Sequence, residues 1–340
     1  MVAKNGRVGF GVVGLNFGLG RCKAIQSVPE AELIAVAART EATAEGVGRQ
    51  LGVDWTTDYR TLLERSDIDV IAVYTPTNLH QQIAVDAAKA GKHVLTTKPL
   101  EITTERIDTV INACQSAGVK LATEYFSRYL PGGYVGYRAI ADGLLGKLIL
   151  GEASYKCFRP REYYTGTRGT WAVDGGGAMM IQAIHSIDLL LWYMGDVASV
   201  TARAGTFVHS MEAEDTAMAL VTFANGAIGT IVGTTTFHND QPGGQYGGGS
   251  TTRIEVGGER GSIIVSEGKV SMWKSLDAEH PPSDSVPAIN ACQDFARWVI
   301  DDAYDSPMLV KGRDARKSVA LIEAIYESAR TGRTVNLAPS

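Results

Sequence analysis

Two side chains that could exchange a proton near neutral pH, His185 and Asp188, stand in a stretch that otherwise reads as buried, Asp174–Gly195, DGGGAMMIQAIHSIDLLLWYMG. From Ala178 to Met194 the run is apolar on nearly every helical face, which is the composition of a core helix. On a helix His185 lies one turn from both Ile181 and Asp188, so the three share a face and Asp188 can orient or charge-stabilise the imidazole. His185 is thereby a candidate general base, although the same spacing suits a core histidine satisfied by a core aspartate, and the stretch alone leaves both open. A second candidate is Lys98 in Thr96-Thr97-Lys98-Pro99, held extended or in a cis linkage by the proline after it. A lysine at a strand end can hydrogen-bond a substrate oxygen and stabilise negative charge developing on it. Alone, it reads more readily as a surface lysine before a turn.

These candidates need elements that bring them to a ligand. Arg7–Val13 is a short apolar run ending in Gly14-Leu15-Asn16-Phe17-Gly18-Leu19-Gly20, after which Arg21–Val28 suits a helix. Strand, glycine turn and helix N-terminus together aim backbone N–H groups at an anion, the usual way a dinucleotide pyrophosphate is held. The spacing is G-x-N-x-G-x-G, with Asn16 where a second glycine would stand, and asparagine tolerates the left-handed backbone better than most residues. Gly14, Asn16, Phe17 and Gly18 are therefore expected at the cofactor. The next strand, Leu33–Ala38, ends in Arg39-Thr40 with no acid from Leu33 to Thr40, where an NAD ribose would want one. Arginine with a threonine hydroxyl suits a 2′-phosphate, so NADP is expected in preference to NAD, which stays possible.

Strand-like and helix-like segments then alternate: Glu41–Leu51, Tyr59–Glu64, Val70–Tyr74, Leu79–Ala90, His93–Thr96, Thr103–Ala117 and Lys120–Thr123. This alternation predicts a parallel sheet with helices on both faces and ligands at the carboxyl ends of its strands. Two of those ends carry proline: Thr75-Pro76-Thr77-Asn78-Leu79-His80, and the segment with Lys98. Thr75, Pro76, Asn78, His80 and Lys98 complete the expected cofactor contacts.

A chain of 340 residues suggests two domains. Its formal net charge of −5, with no run of five like charges, argues against nucleic acid or an anionic membrane as the main partner and favours a small polar ligand. Cys22, Cys114, Cys157 and Cys292 are too scattered for a zinc site or a disulfide framework, and no signal peptide or membrane span is read, so a cytoplasmic protein is expected. No metal is called for.

Taken together, the turn at 8–20, T-P-T-N-L-H at 75–80, A-G-K-H-V-L-T-T-K-P-L at 90–100 and G-G-G-A-x-x-x-Q-A-I-H-S-I-D at 175–188 resemble the Gfo/Idh/MocA oxidoreductases. E-D-T-A at 214–217, F-A-N-G-A-I-G-T at 223–230, G-E-R-G-S-I at 258–263 and A-I-Y-E-S-A-R-T-G-R-T-V at 324–335 extend the resemblance over nearly the whole chain. It implies an N-terminal Rossmann domain with a doubly wound parallel sheet (1–124), then an α+β domain with a large open, mostly antiparallel sheet (125–340) that commonly makes homodimers or homotetramers. Strand-like runs from Leu148 to Trp273, with turns at Asn225-Gly226, Gly257-Gly258 and Glu267-Gly268, agree independently. The glycine-rich segment Asn239–Ser250 reads as a long loop, and Ala288–Ala303 and Arg313–Arg330 as closing helices.

The resemblance further implies an NAD(P)-dependent oxidoreductase of a sugar, cyclitol or related polyol. Lys98 then matches the lysine of the family's E-K-P segment and His185 its proton-transferring histidine. Two positions depart from the pattern. Thr97 replaces the usual glutamate, and Ile181 stands where many members carry an Asp or Asn. In the loop before the glycines, Tyr163, Tyr164, Arg168 and Trp171 could hydrogen-bond or stack on a substrate beside Ile181 and His185, or simply pack. Two other readings of the same fold stay open: a non-catalytic NAD(P)-binding regulator, and a glycosidase using transient oxidation.

Overall fold

The computed structural model describes residues 6–240, 249–282 and 286–338. The chain divides into two units, Met1–Tyr125 with Ala288–Arg316 and Phe126–Pro287 with Lys317–Ser340.

In the first unit the elements run β1 (Val8–Val13), α1 (Gly18–Gln26), β2 (Ala31–Ala37), α2 (Glu41–Leu51), β3 (Asp54–Thr56), α3 (Arg60–Leu63), β4 (Val70–Val73), α4 (His80–Lys89), β5 (His93–Thr97), α5 (Thr104–Ala117) and β6 (Leu121–Glu124). The sheet order is β6-β5-β4-β1-β2-β3, all parallel, the Rossmann arrangement with its crossover between β1 and β4. β1 and β4 are buried at every residue, as strands covered on both faces must be. The helices are bounded by local chemistry. Thr103 caps α5 by accepting the Arg106 N–H on its hydroxyl, and Gly118 ends it in the left-handed conformation.

A single cut near residue 125 does not describe this unit. Helix Ala291–Ile300 buries Phe295, Ala296 and Cys292 in the same core as Phe10, Val12, Ile25 and Val70, and strand Val310–Lys311 pairs antiparallel with β6. The expected assignment of 288–316 to the second domain is therefore corrected. The wholly buried Phe295 contributes roughly 1.5–3 kcal/mol toward holding the segment in the first core.

The second unit begins with α6 (Pro131–Ala141), which the sequence reading missed because three glycines in its first six residues lower helix propensity. Then come β7 (Leu148–Cys157), the short α7 (Trp171–Asp174), a π-helix (Ala178–Ala183), α8 (Ile184–Met194) and strands β8 (Val197–Gly205), β9 (Thr216–Phe223), β10 (Ile228–Thr234), β11 (Ser250–Gly258), β12 (Gly261–Ser266) and β13 (Lys269–Ser275). The sheet order is β13-β12-β11-β7-β10-β9-β8, with Val335–Asn336 at the β8 edge. Every pair is antiparallel except β7 with β10. β9 alternates strictly, Ala217, Ala219, Val221 and Phe223 inward and Met218, Leu220 and Thr222 outward. Most of the Asn239–Ser250 loop lies outside the described residues.

Candidate active site

In the first unit, β1 delivers the chain to Gly14, whose φ is +94°. A Cβ there would lie 2.6 Å from the Tyr74 carbonyl carbon and oxygen and 2.7 Å from Thr75 N, so the turn admits glycine alone. α1 starts at Gly18 without a side-chain cap; the Leu19 N–H donates to the Leu15 carbonyl at 3.1 Å, and the other first-turn N–H groups are the ones a ligand can take. Asn16 and Phe17 are exposed. The Arg21 guanidinium lies 5.2 Å from the Phe17 ring centroid, and its Nε is 2.8–2.9 Å from both oxygens of Glu124. Tyr74 also donates to Glu124, at 3.3 Å. Burial pushes the Glu124 carboxyl up, against the pull of Arg21. The only sequence signal for this acid is its place at the carboxyl end of a parallel strand.

Arg39 and Thr40 are exposed just past β2, and the Thr40 hydroxyl donates to Thr43 Oγ1 at 2.8 Å. Past β4, the Thr75 hydroxyl oxygen and the Asn78 side-chain oxygen are buried and, among the described residues, have no hydrogen-bond partner. Pro76 is exposed between them. These orphaned oxygens, the Gly14 cradle and the uncapped α1 fit a bound dinucleotide.

His80 has a different place from the one expected. It is fully buried, with Nδ1 3.1 and 3.2 Å from the carbonyl oxygens of Pro99 and Leu100 and Nε2 3.0 Å from that of Thr75. Both ring nitrogens face backbone carbonyls, and whichever carries the proton donates to one of them, so His80 lies between the two proline-bearing strand ends and braces them. Burial holds its pKa below the usual imidazole value, while the three carbonyls and the nearby Glu101 pull it back up. Lys98 follows β5, half-buried, through a cis bond to Pro99. Glu101, missed by sequence reading, completes the brace. Its fully buried carboxylate accepts from Arg106 at 2.8 and 2.9 Å and from the Gln81 N–H at 3.1 Å, while Arg106 also donates to the Asn78 carbonyl at 2.8 Å. The backbones of Thr75, Asn78 and Pro99, the residue after Lys98, thus belong with His80, Glu101 and Arg106 to one hydrogen-bonded corner.

In the second unit His185 opens α8, 8% exposed, with its ring edge-on to Phe126 at 4.4 Å. Both oxygens of Asp188 accept from Arg128, at 2.8 Å each, so the aspartate expected to orient His185 anchors a buried arginine. Ile181 is half-buried in the π-helix. Tyr163 accepts from Gln182 Nε2 at 3.1 Å, and the guanidinium carbons of Arg168 and Arg159 lie 4.4 and 5.4 Å from its ring centroid. Tyr164 is turned inward, donating to Thr235 at 2.8 Å. Trp171 stands apart from this cluster, edge-on to Tyr326. Burial raises the Tyr163 phenol, so it stays protonated and able to donate.

An oxidoreductase family profile with an NAD-binding Rossmann fold matches residues 8–125, and the Gfo/Idh/MocA C-terminal domain matches 137–264. The chain belongs to the Gfo/Idh/MocA oxidoreductases. Among characterised members of this family it is 25% identical to levoglucosan dehydrogenase of Pseudarthrobacter phenanthrenivorans over 71% of its own length and 66% of that protein's. It thus spans just under two thirds of that relative. It is 26% identical to D-apiose dehydrogenase of Paraburkholderia graminis over 92% of this chain and 84% of the relative. The crystal structure of the WlbA dehydrogenase from Bordetella pertussis, in complex with NADH and UDP-GlcNAcA, superposes with a TM-score of 0.86 at 29% identity, covering 98% of this chain and 100% of that one. The Gfo/Idh/MocA assignment carries a nicotinamide-binding Rossmann fold with it, and among the described residues no helix is long and apolar enough to cross a membrane.

Proposed function

We propose that the protein interconverts a secondary alcohol and a ketone on a sugar, cyclitol or related polyol, with NADP preferred to NAD. Gly14, Asn16, Phe17, Gly18, Arg39, Thr40, Thr75, Pro76 and Asn78 would hold the dinucleotide, which supplies hydride acceptance or donation when bound. Lys98 hydrogen-bonds the substrate oxygen and stabilises its developing negative charge. His185 takes the hydroxyl proton in oxidation and returns it in reduction. Ile181 neither accepts a proton nor orients a hydroxyl, which leaves the acid–base work to Lys98 and His185. Arg168 beside Tyr163 suits a substrate that carries an acidic group as well as hydroxyls.

The observation that most supports this reading is the His80 brace, which joins Lys98's corner to the strand end bearing the orphaned Thr75 and Asn78 oxygens. Named relatives acting on levoglucosan and D-apiose support the substrate class. The exposed sheet face supports a homodimer or homotetramer: β7 and β10 pair Leu150 with Ile228, and β9 adds Leu220 and Met218 on that face, 40–64% exposed. Four free, buried cysteines support a reducing, cytoplasmic setting.

The test is NAD(P)H absorbance against levoglucosan, D-apiose, inositols and uronic acids with each cofactor. Lys98→Ala and His185→Ala should each lower turnover by about 10²–10⁴-fold. Near-wild-type turnover in both variants would refute the assignment. Cofactor binding without turnover would point to the regulator, and cleaved glycoside without net cofactor change to the glycosidase.

A further inference from the structure

Glu214 lies in none of the roles above, yet it gathers more of the second unit's glycine turn than any residue so far described. It is 4% exposed. Its Oε2 accepts the Gly177 N–H at 2.9 Å, and its Oε1 accepts the Met179 N–H at 2.8 Å and the Tyr326 hydroxyl at 3.0 Å. Its own carbonyl accepts the Ala178 N–H at 2.9 Å. The turn is closed from the other side as well. A Cβ on Gly176, whose φ is +157°, would lie 2.1 Å from the Tyr326 oxygen, and one on Gly177 1.8 Å from the Glu214 carbonyl oxygen. The backbone at 176–179 is therefore fixed between Glu214 and Tyr326, and the π-helix with Ile181 starts from it and runs into α8 at His185. The first N–H groups of such a run have no acceptor within it, and a carboxylate there satisfies them and complements their partial positive charge. π-turns depart from the ordinary helical ladder and need such support.

We propose that Glu214 is a positioning residue of the substrate side of the site: its carboxylate holds the first turn of the Ile181–His185 helix run, and protonating it loosens that turn and moves the His185 ring. The kinetic part of this proposal rests on the function proposed above; the structural part does not. On protonation at Oε1 the new O–H donates to the Tyr326 oxygen, whose hydroxyl turns away. Met179 N–H then faces a neutral, weaker acceptor, while Gly177 keeps Oε2. Burial pushes the Glu214 carboxyl up to about 7 against the hydrogen bonds that lower it, so the change falls in the working range. Tyr326 is the titratable side chain hydrogen-bonded to Glu214, and burial keeps its phenol neutral. Facing α8 near His185 are Phe126 and the Arg128–Asp188 pair. The sign for stability follows from the raised value. The folded state holds the proton more tightly than the ordinary value of 4.5 allows, so stability falls as pH rises from there through about 7.

The test uses the whole protein and His185 ring resonances, assigned with His185→Asn and followed by NMR from about pH 5 to 9. In the wild type the ring should report an inflection near the Glu214 midpoint. Glu214→Gln, shown folded by circular dichroism, should lack it, and Tyr326→Phe, which removes a hydrogen bond to the charged form, should move it upward. With a substrate found in the screen, wild-type KM should rise about tenfold as pH falls through 7, the difference between a charge-assisted and a neutral hydrogen bond. The change in kcat should be smaller, and the KM of Glu214→Gln should be flat with pH. If Glu214→Gln does not fold, Tyr326→Phe decides alone. A His185 titration identical in wild type and the folded variants overturns the proposal. No turnover on any substrate overturns the enzymatic reading and leaves the NMR result to stand or fall by itself.

Discussion

Replacing Asp188 by asparagine should destabilise the second unit severely, although shape is nearly conserved. Arg128 and Asp188 have side chains 7% and 1% exposed, joined by two parallel hydrogen bonds of 2.8 Å, and the guanidinium lies 4.7 Å from the Trp192 ring centroid. Asp188→Asn leaves a guanidinium out of water without its counter-charge and turns an amide NH₂ toward one of its donors. Breaking a buried pair in this way costs about 3–5 kcal/mol. In a unit of this size each kcal/mol moves Tm by roughly 2–4 °C, so a fall of about 6–20 °C is expected by calorimetry. Arg128→Met should cost a similar amount alone. The double variant Arg128→Met/Asp188→Leu should recover most of the loss, because two apolar side chains replace two desolvated charges. A fall below about 2 °C for Asp188→Asn, or additive losses in the double variant, would refute the view that the pair is a coupled, desolvated unit.

Three further outcomes follow from the geometry. Gly14→Ala forces a Cβ to 2.6 Å from the Tyr74 carbonyl at a φ of +94°, and should weaken nicotinamide-dinucleotide binding by about 10–100-fold in a calorimetric titration while the protein stays folded. Arg39→Ala should weaken NADP⁺ binding by about tenfold and leave NAD⁺ unchanged; equal losses for both would remove Arg39 from 2′-phosphate recognition. Leu220→Asp, on a side chain 64% exposed, should leave the monomer's fold intact and lower the mass measured by light scattering. An unchanged mass would place any self-association on another surface.

Much of the first unit was legible because parallel strands covered on both faces announce themselves as short apolar runs, and their helices end at residues such as Gly118 with one dominant use. The positions of Lys98, Thr75 and Asn78 were legible for the same reason, since a proline after an apolar strand marks its carboxyl end. His80 was read as a cofactor contact. Its type and its place at a helix start fit a ligand, and only the folded chain reveals three carbonyl oxygens around its ring. Glu101 gave no signal, Glu124 only its place at a strand end, and Glu214 only its place in E-D-T-A, because their roles come from burial and from partners such as Arg21 and the Met179 amide that no local pattern encodes.

What the sequence determined by itself was periodicity and punctuation: which runs are buried strands, which glycines turn the chain, and which polar side chains stand at strand ends. These depend on neighbours a few residues apart. The tertiary structure alone decided that 288–316 return to the first core, that Asp188 pairs with Arg128, and that Glu214 and Tyr326 clamp the glycines before the π-helix. Those choices are made by desolvation and close packing between segments distant in the sequence, 60 residues apart for Arg128 and Asp188, and both are properties of the assembled interior, which no stretch of chain possesses before it folds.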